Sequence, residues 1–343
     1  KFPAGLGTGS AYTLSIYNAS GTNLYSFDLD AAAGNGTWLA GQQINLPAGR
    51  AYIRIDGYDS WAAWGKTYTL NVGWIWSATP VPGISGTPQV GRTLTAVTGT
   101  WSPTPDVLGY QWFRSGTAIT GATGKTYTLV AADLGKTITL KVTGSKAGYP
   151  SATRTSAATT AVTPGTLTAP VPTISGTAKV GSTLTAVPGI WGPAPVTLAY
   201  QWKAGGVAIT GATAATYKVA AADTGKTLTV TVTGTKTGYT TTAKTSTVTT
   251  AVTPGTLTAP VPTITGTAKV GSTLTAVPGT WGPAPVTLAY QWKAGGVAIT
   301  GATAATYKPV AANIGKTITV TVTGTKTGYT TTAKTSTATA VVV

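Results

Sequence analysis

Short runs of alternating apolar and polar residues fill most of the chain, each closed by glycine, proline or a small polar residue. Period-two alternation marks strands with one buried face, so the pattern predicts β structure throughout. The clearest example lies between positions 173 and 253. There STLTAV puts Leu184 and Ala186 on one face. LAYQWKA puts Leu198, Tyr200 and Trp202 on one face and Gln201 and Lys203 on the other. KTLTVTVTG sends Leu228, Val230 and Val232 inward and its threonines outward. Gly205-Gly206 reads as a two-residue hairpin turn, which needs the left-handed backbone that glycine adopts freely. With VAIT, ATYKV and the closing TTTAKTSTVTTAV, the unit holds about seven short strands.

That unit is repeated. AYQWKAGGVAITGATAATYK begins at Ala199 and again at Ala289, and the weaker GYQWFRSGTAITGATGKTYT begins at Gly109. Trp101, Trp191 and Trp281 are spaced by ninety, as are Trp112, Trp202 and Trp292. A solenoid repeat is roughly 20–45 residues long, so ninety is the size of a self-sufficient sandwich. The expected division is an N-terminal domain at 1–77 and three copies at 78–166, 167–256 and 257–343. TPGTLTAPVPTI, around Thr163 and Thr253, and the shorter SATPVPGI at Ser77 read as linkers. Proline fixes φ, so these joints are stiffened. At about 3.3 Å per strand residue, each copy advances roughly 35–45 Å and three span about 100–130 Å.

Y-Q-W on the third strand, followed by A-A-D-x-G-K before a long alternating strand, resembles bacterial immunoglobulin-like domains over 79–343. The resemblance implies a core tryptophan at Trp112, Trp202 and Trp292. It also implies a turn at Asp133-Leu134-Gly135 and Asp223-Thr224-Gly225. The third copy departs with Asn313-Ile314-Gly315, which suits the same turn. No inter-sheet disulfide exists, so each core must hold by packing. The tryptophans of GTWSP, GIWGP and GTWGP are expected to plug one end of each sandwich. The fold class is therefore all-β: tandem immunoglobulin-like sandwiches behind an N-terminal jelly-roll-like sandwich.

Composition narrows the chemistry. The 343 residues contain no Cys, no His and, beyond seven Asp, no other acid. Thiolate and imidazole nucleophiles and the usual zinc sites are excluded, and no cofactor is expected. The net charge of +16 is uneven. Residues 1–78 balance four bases with four acids, while the repeats hold nineteen bases and three acids. Spread evenly, these bases favour solubility. They also suit an anionic cell-envelope polymer as partner. Nucleic acid is not expected, because no basic cluster is interleaved with aromatics. No apolar run is long enough to span a bilayer. Small polar residues, heavy threonine use and absent cysteine point to a secreted or cell-surface protein. The start at Lys1, without Met, is expected of a processed product or a fragment.

Residues 1–77 differ in kind, with dense aromatics and strand patterns at AYTLSIY, LYSFDL, RAYIRID and KTYTLNVGW. LPAG before YIRI, then G-K-T-Y-T-L-N-V, resembles the closing half of a bacterial pre-peptidase C-terminal domain, a small sandwich appended to secreted hydrolases. In such domains strands precede the segment that begins here. The resemblance thus implies an incomplete sandwich, open to β-strand addition and self-association.

The loop GYDSWAAW carries Tyr58, Trp61 and Trp64, and Tyr52, Arg54 and Asp56 share one face of the strand before it. Aromatic faces stack on sugars while Arg and Asp bond hydroxyls, so these six form a candidate glycan surface. The competing reading has the tryptophans folding back over a small core. Asp28 and Asp30, at i and i+2 on one strand face, are weak calcium candidates with Asn35 or with Asp56 and Asp59. The same acids are the sole general acid–base pairs, and nothing else supports catalysis. Asn18-Ala19-Ser20 and Asn35-Gly36-Thr37 fit the glycosylation pattern. The functional expectation is a non-catalytic extracellular stalk presenting a carbohydrate- or wall-binding head. Two alternatives stand beside it: the C-terminal accessory region of a secreted hydrolase, and a filament subunit assembled by strand addition.

Overall fold

In the computed structural model, which describes residues 11–17, 20–30, 52–58 and 74–343, the LAYQWKA segment forms the strand Thr197–Ala204. Its Trp202 is fully buried and lies 5.7 Å from the stacked ring of Tyr217. The indole N–H donates to the Ala214 carbonyl at 3.0 Å, so the largest core side chain leaves no polar atom unpaired. On the opposite face the Gln201 amide donates to the carbonyls of Trp202 and Ile209 at 2.8 and 2.9 Å, pinning the hairpin that follows. Truncation of such a tryptophan to alanine costs about 3–5 kcal/mol.

Two sheets enclose this core. Thr173–Ser175, Thr183–Val187 and Thr216–Lys218 form one, with the middle strand central. Val207–Ala208, Thr197–Ala204, Leu228–Thr235 and Thr242–Thr245, in that order, form the other. Leu184 and Ala186 from the first sheet meet Trp202, Leu228, Val230 and Val232 from the second, all buried. Seven antiparallel strands in sheets of three and four make this an immunoglobulin-like sandwich. The third copy repeats it strand for strand, with Trp292 packed among Leu274, Ile318, Val320 and Val322. The first copy has the same two sheets, and its Trp112 is fully buried.

The hairpin follows from glycine. Gly205 and Gly206 have φ of 56° and 84°, and Ala204 pairs directly with Val207. In the first copy Ser115 occupies the left-handed position instead, at φ 43°.

Serine and threonine do more than face solvent. After pairing with Thr242–Thr245, the strand Leu228–Thr235 meets Ser246 and Thr249. The Ser246 Oγ accepts from the Val230 N–H at 3.1 Å and the Thr249 Oγ1 from the Leu228 N–H at 3.0 Å. Their own N–H groups donate back to Val230 and Leu228. The hydroxyls thus extend the ladder where the backbone has turned away.

Contacts group the chain into two compact units. One comprises Lys1–Thr79 with Trp101–Val107 and Gly144–Ala152; the other comprises Pro80–Thr100, Leu108–Thr143 and Thr153–Val343. The first contains a three-stranded antiparallel sheet in which Ala11–Tyr17 lies between Asn23–Asp30 and Tyr52–Tyr58. Leu14 and Ile16 stand in register with Phe27 and Tyr25 on one side and with Ile55 and Ile53 on the other, so one face is apolar. The predicted strand at KTYTLNVGW and the segment GTWLAGQQINLPAG lie outside the described residues, Trp74 excepted.

Candidate functional site

The most constructed feature outside the cores is a joint built from the sequence Lys-x-Gly-Tyr. It occurs at Lys236–Tyr239 and, ninety residues on, at Lys326–Tyr329. The turn closes through Tyr239 N–H donating to the Lys236 carbonyl at 3.0 Å. Lys236 Nζ donates to the carbonyls of Ala194 and Pro195 at 3.2 and 3.1 Å, and stands 5.6 Å from the centre of the Tyr239 ring. The cation therefore anchors the turn to its own sandwich and supports the ring from one side.

The tyrosine belongs to the second copy yet packs on the first. Its ring covers Gly165 in the linker, and its hydroxyl end reaches Gly91. A methyl group at Gly165 would run into the ring, so glycine is required there by close approach. Gly165 N–H donates to the Gly238 carbonyl and Thr240 N–H donates to the Gly165 carbonyl, both at 2.9 Å. Gly238 itself sits on Ala131 and Val90 of the first copy. The second joint is the same. Tyr329 covers Gly255 and reaches Gly181, Gly328 sits on Ala221 and Val180, and Gly255–Thr256 pairs in parallel with Tyr329–Thr330. The joints are thus held by a tyrosine and a short backbone ladder as well as by the prolines of the linker.

The first copy's version of the turn, Lys146–Tyr149, meets aromatic side chains instead. Tyr149 stacks on Trp74 at 5.9 Å and tilts against Trp76 at 5.3 Å. Trp76 Nε1 donates to the Pro150 carbonyl at 2.7 Å, and its ring meets Trp101 edge-on at 5.3 Å. Lys146 here pairs with Asp106 at 2.9 Å. The Ala147 N–H, then Lys146, hold the exposed Asp106 carboxyl below its ordinary range.

A cleft of about 670 Å³ lies at the first joint, lined by Val90, Gly91, Ala131, Pro193, Lys236 and Tyr239 among others. Its surroundings are mainly apolar, and its one cation is already engaged with carbonyls. What this arrangement does chemically is cohere: it buries a ring and satisfies backbone groups, and the residues lining the cleft include no carboxylate. Among the described residues no cluster of three or more His, Cys, Asp or Glu could hold a metal, and no helix is long and apolar enough to cross a membrane.

The residues singled out from the sequence fall as follows. Tyr52, Arg54, Asp56 and Tyr58 occupy alternate positions of one edge strand, hence one face. The strand runs on through Gly57 and Tyr58, where the sequence reading began the loop. Trp61 and Trp64 lie outside the described residues, as do Asn35 and Asp59. Asp28 and Asp30 lie on the opposite edge strand. Register places Asp28 and Asp56 in one row with Thr13 between them, so both candidate sets share a face. Two strand spacings, about 9.5 Å, separate those two backbones. Ser15, in the row with Ser26 and Arg54, is buried.

Trp101, Trp191 and Trp281 are buried, and a methyl group at Gly144, Gly234 or Gly324 would strike their rings. They are the plugs the sequence suggests. Tyr239 and Tyr329 escaped the sequence reading, although the ninety-residue recurrence of Lys-x-Gly-Tyr was the signal that marks them.

No protein-family model matches the chain, and no curated protein matches it. Among solved structures, it is similar to three N-terminal domains of the bacteriophage RB49 highly immunogenic outer capsid protein, Hoc. That match has 15% identity, covers 75% of this chain and 97% of that one, and has a TM-score of 0.25. A D1–D4 ectodomain fragment of ICAM-5 matches at 16% identity over 86% of this chain and 80% of that one, with a TM-score of 0.26. Tandem Ig repeats of Dlar match at 11% identity over 49% and 92%, with a TM-score of 0.15. The immunoglobulin-like assignment rests on the strand pairing described above.

Proposed function

We propose that the chain is a non-catalytic extracellular spacer. Its three sandwiches, divided near 78, 167 and 257, hold apart what lies at its two ends. The observation that supports this reading is the repetition of one joint: the same tyrosine on the same two glycines, ninety residues apart. What recurs from copy to copy is a core and a coupling. The N-terminal domain is the proposed head. Tyr52, Arg54, Asp56, Tyr58, Trp61 and Trp64 form its candidate glycan surface, and the basic excess of the repeats favours an anionic envelope polymer nearby.

Solution scattering tests the spacer. The length expected from the sequence, about 100–130 Å for three copies, should be the least maximum dimension of the whole chain; a much smaller value, or turnover of any substrate by this polypeptide, would overturn the reading. A glycan array with wild type, Trp61→Ala and Trp64→Ala tests the head. Binding abolished by either change supports the surface, and binding indifferent to both removes it.

A further inference from the structure

The first two joints show what a socket looks like when filled, and the third copy carries the same socket without a key. Val90 and Val180, beneath Gly238 and Gly328, are 4% and 5% exposed, whereas Val270, ninety residues further on, is 38% exposed. Gly91 and Gly181 each meet a tyrosine hydroxyl; Gly271, at φ 81°, meets nothing. Yet the frame of the socket is intact. Val270 N–H donates to the Val343 carbonyl, as Val180 N–H does to Thr253 and Val90 N–H to Thr163. Gly271 N–H donates to Pro309 as Gly181 N–H does to Val219.

Of the eleven differences between 167–253 and 257–343, four bring a larger apolar side chain to this end. Ala220, Thr224, Ala251 and Thr253 correspond to Val310, Ile314, Val341 and Val343. These four changes are each toward a larger apolar side chain, and the four residues are 52–69% exposed. Val310 and Ile314 have counterparts in Val130 and Leu134 of the first copy, which stay 46% and 39% exposed beside a filled socket, so the unfilled state is read from Val270 and Gly271.

We infer that this end of the third copy, centred on Val270, Gly271 and Ala311, is a docking surface for the Lys-x-Gly-Tyr turn of a further immunoglobulin-like module of the same repeat, joined to it in cis. The occupant is identified by what fills the two equivalent sockets, not by the apolar patch alone. A second copy of this chain is disfavoured because its own three turns are engaged: Tyr149 on Trp74 and Trp76, Tyr239 on Gly165, and Tyr329 on Gly255. This inference goes beyond the spacer reading and stands whether or not the head binds glycans.

The test appends a second copy of residues 254–343 directly after Val343, which restores the register of the earlier joints. Hydrogen exchange is followed at 268–272 and 309–315 in the native and extended chains. The expected result is at least tenfold slower exchange at Val270, Gly271 and Ala311 in the extended chain. That protection should be lost when the appended module carries Tyr329→Ala, and lost again with Val270→Lys in the native third copy, a change at a part-exposed position. Unchanged exchange on extension would overturn the inference. So would concentration-dependent self-association of the native chain that Val270→Lys abolishes, since the occupant would then be a second copy.

Discussion

Asp223 is buried, and its Oδ2 accepts from the Tyr217 hydroxyl at 2.7 Å and from the Ala220 N–H at 2.9 Å. The third copy makes the same two bonds with neutral Asn313, at 2.6 and 2.9 Å. One acceptor oxygen is therefore what the position needs. Asp223→Asn should cost less than about 1 kcal/mol, while Asp223→Ala, leaving two donors unpaired, should cost about 1–3 kcal/mol in denaturant unfolding. Asp133 differs because Arg114 pairs with it at 2.6 Å, so Asp133→Asn should cost more than Asp223→Asn. Burial, then the bond to Asp223, pushes the Tyr217 phenol from 10.0 up to about 12. A raised folded-state pKa gives stability that is complete below the unfolded value and lost as pH climbs to the folded one. The second copy should therefore hold to pH 10 and weaken between 10 and 12. Burial also raises Tyr127 and Tyr307, so the late-ionising phenolate absorbance should shrink by one tyrosine in Tyr217→Phe; an unchanged late amplitude would refute the assignment.

At the scale of strands and loops, the loop tryptophan and the strand glycine beneath it form one unit. Trp191 Nε1 donates to the Pro188 carbonyl at 3.0 Å while its ring lies over Gly234. Gly234→Ala should therefore overpack the end of the sandwich and cost about 1–3 kcal/mol. Trp191→Ala in the same background should recover part of that loss, which a double-mutant cycle would read. The first copy has Thr98 where the second has Pro188, and the Trp101 indole N–H has no partner among the described residues. Strand alternation and the Gly-Gly hairpin were legible in the sequence because each follows from local period or backbone preference; the core tryptophans and the Asp turn were legible through the resemblance to immunoglobulin-like domains, and the burial of the Asp was not. The ladder made by Ser246 and Thr249 was not, since a hydroxyl replacing a carbonyl leaves no periodic mark. The tyrosine joint was hidden for another reason. Its partners, Gly91 and Gly165, lie far away in sequence, and nothing local distinguishes Tyr239 from a surface aromatic. The face shared by Asp28 and Asp56 needed the strand register, which alternation alone does not supply.

Across the whole chain, stability is divided between cores and couplings. Tyr239→Ala should leave the Trp202 core folded and release the Gly165 segment. Loss of the ring contact, on the order of 1.5 kcal/mol, should raise local opening about tenfold. Limited proteolysis would show this as faster cleavage around 163–167 with unchanged unfolding of the separate sandwiches; equal cleavage rates would mean the prolines alone secure the joint. The backbone bonds at that joint, Gly165 to Gly238 and Thr240 to Gly165, are the amides to follow by exchange.

The pairing of Tyr239 with Gly91 and Gly165 also bears on how such a gene can change. Each ninety-residue unit brings one half of the contact at its leading side and the other half at its trailing side. Such head-to-tail complementarity does not close on itself. Unequal recombination that gains or loses a whole unit recreates a matched boundary at once, with no compensating substitution required. Breakpoints out of phase would separate a tyrosine from its glycines, so length in this lineage should vary in whole units.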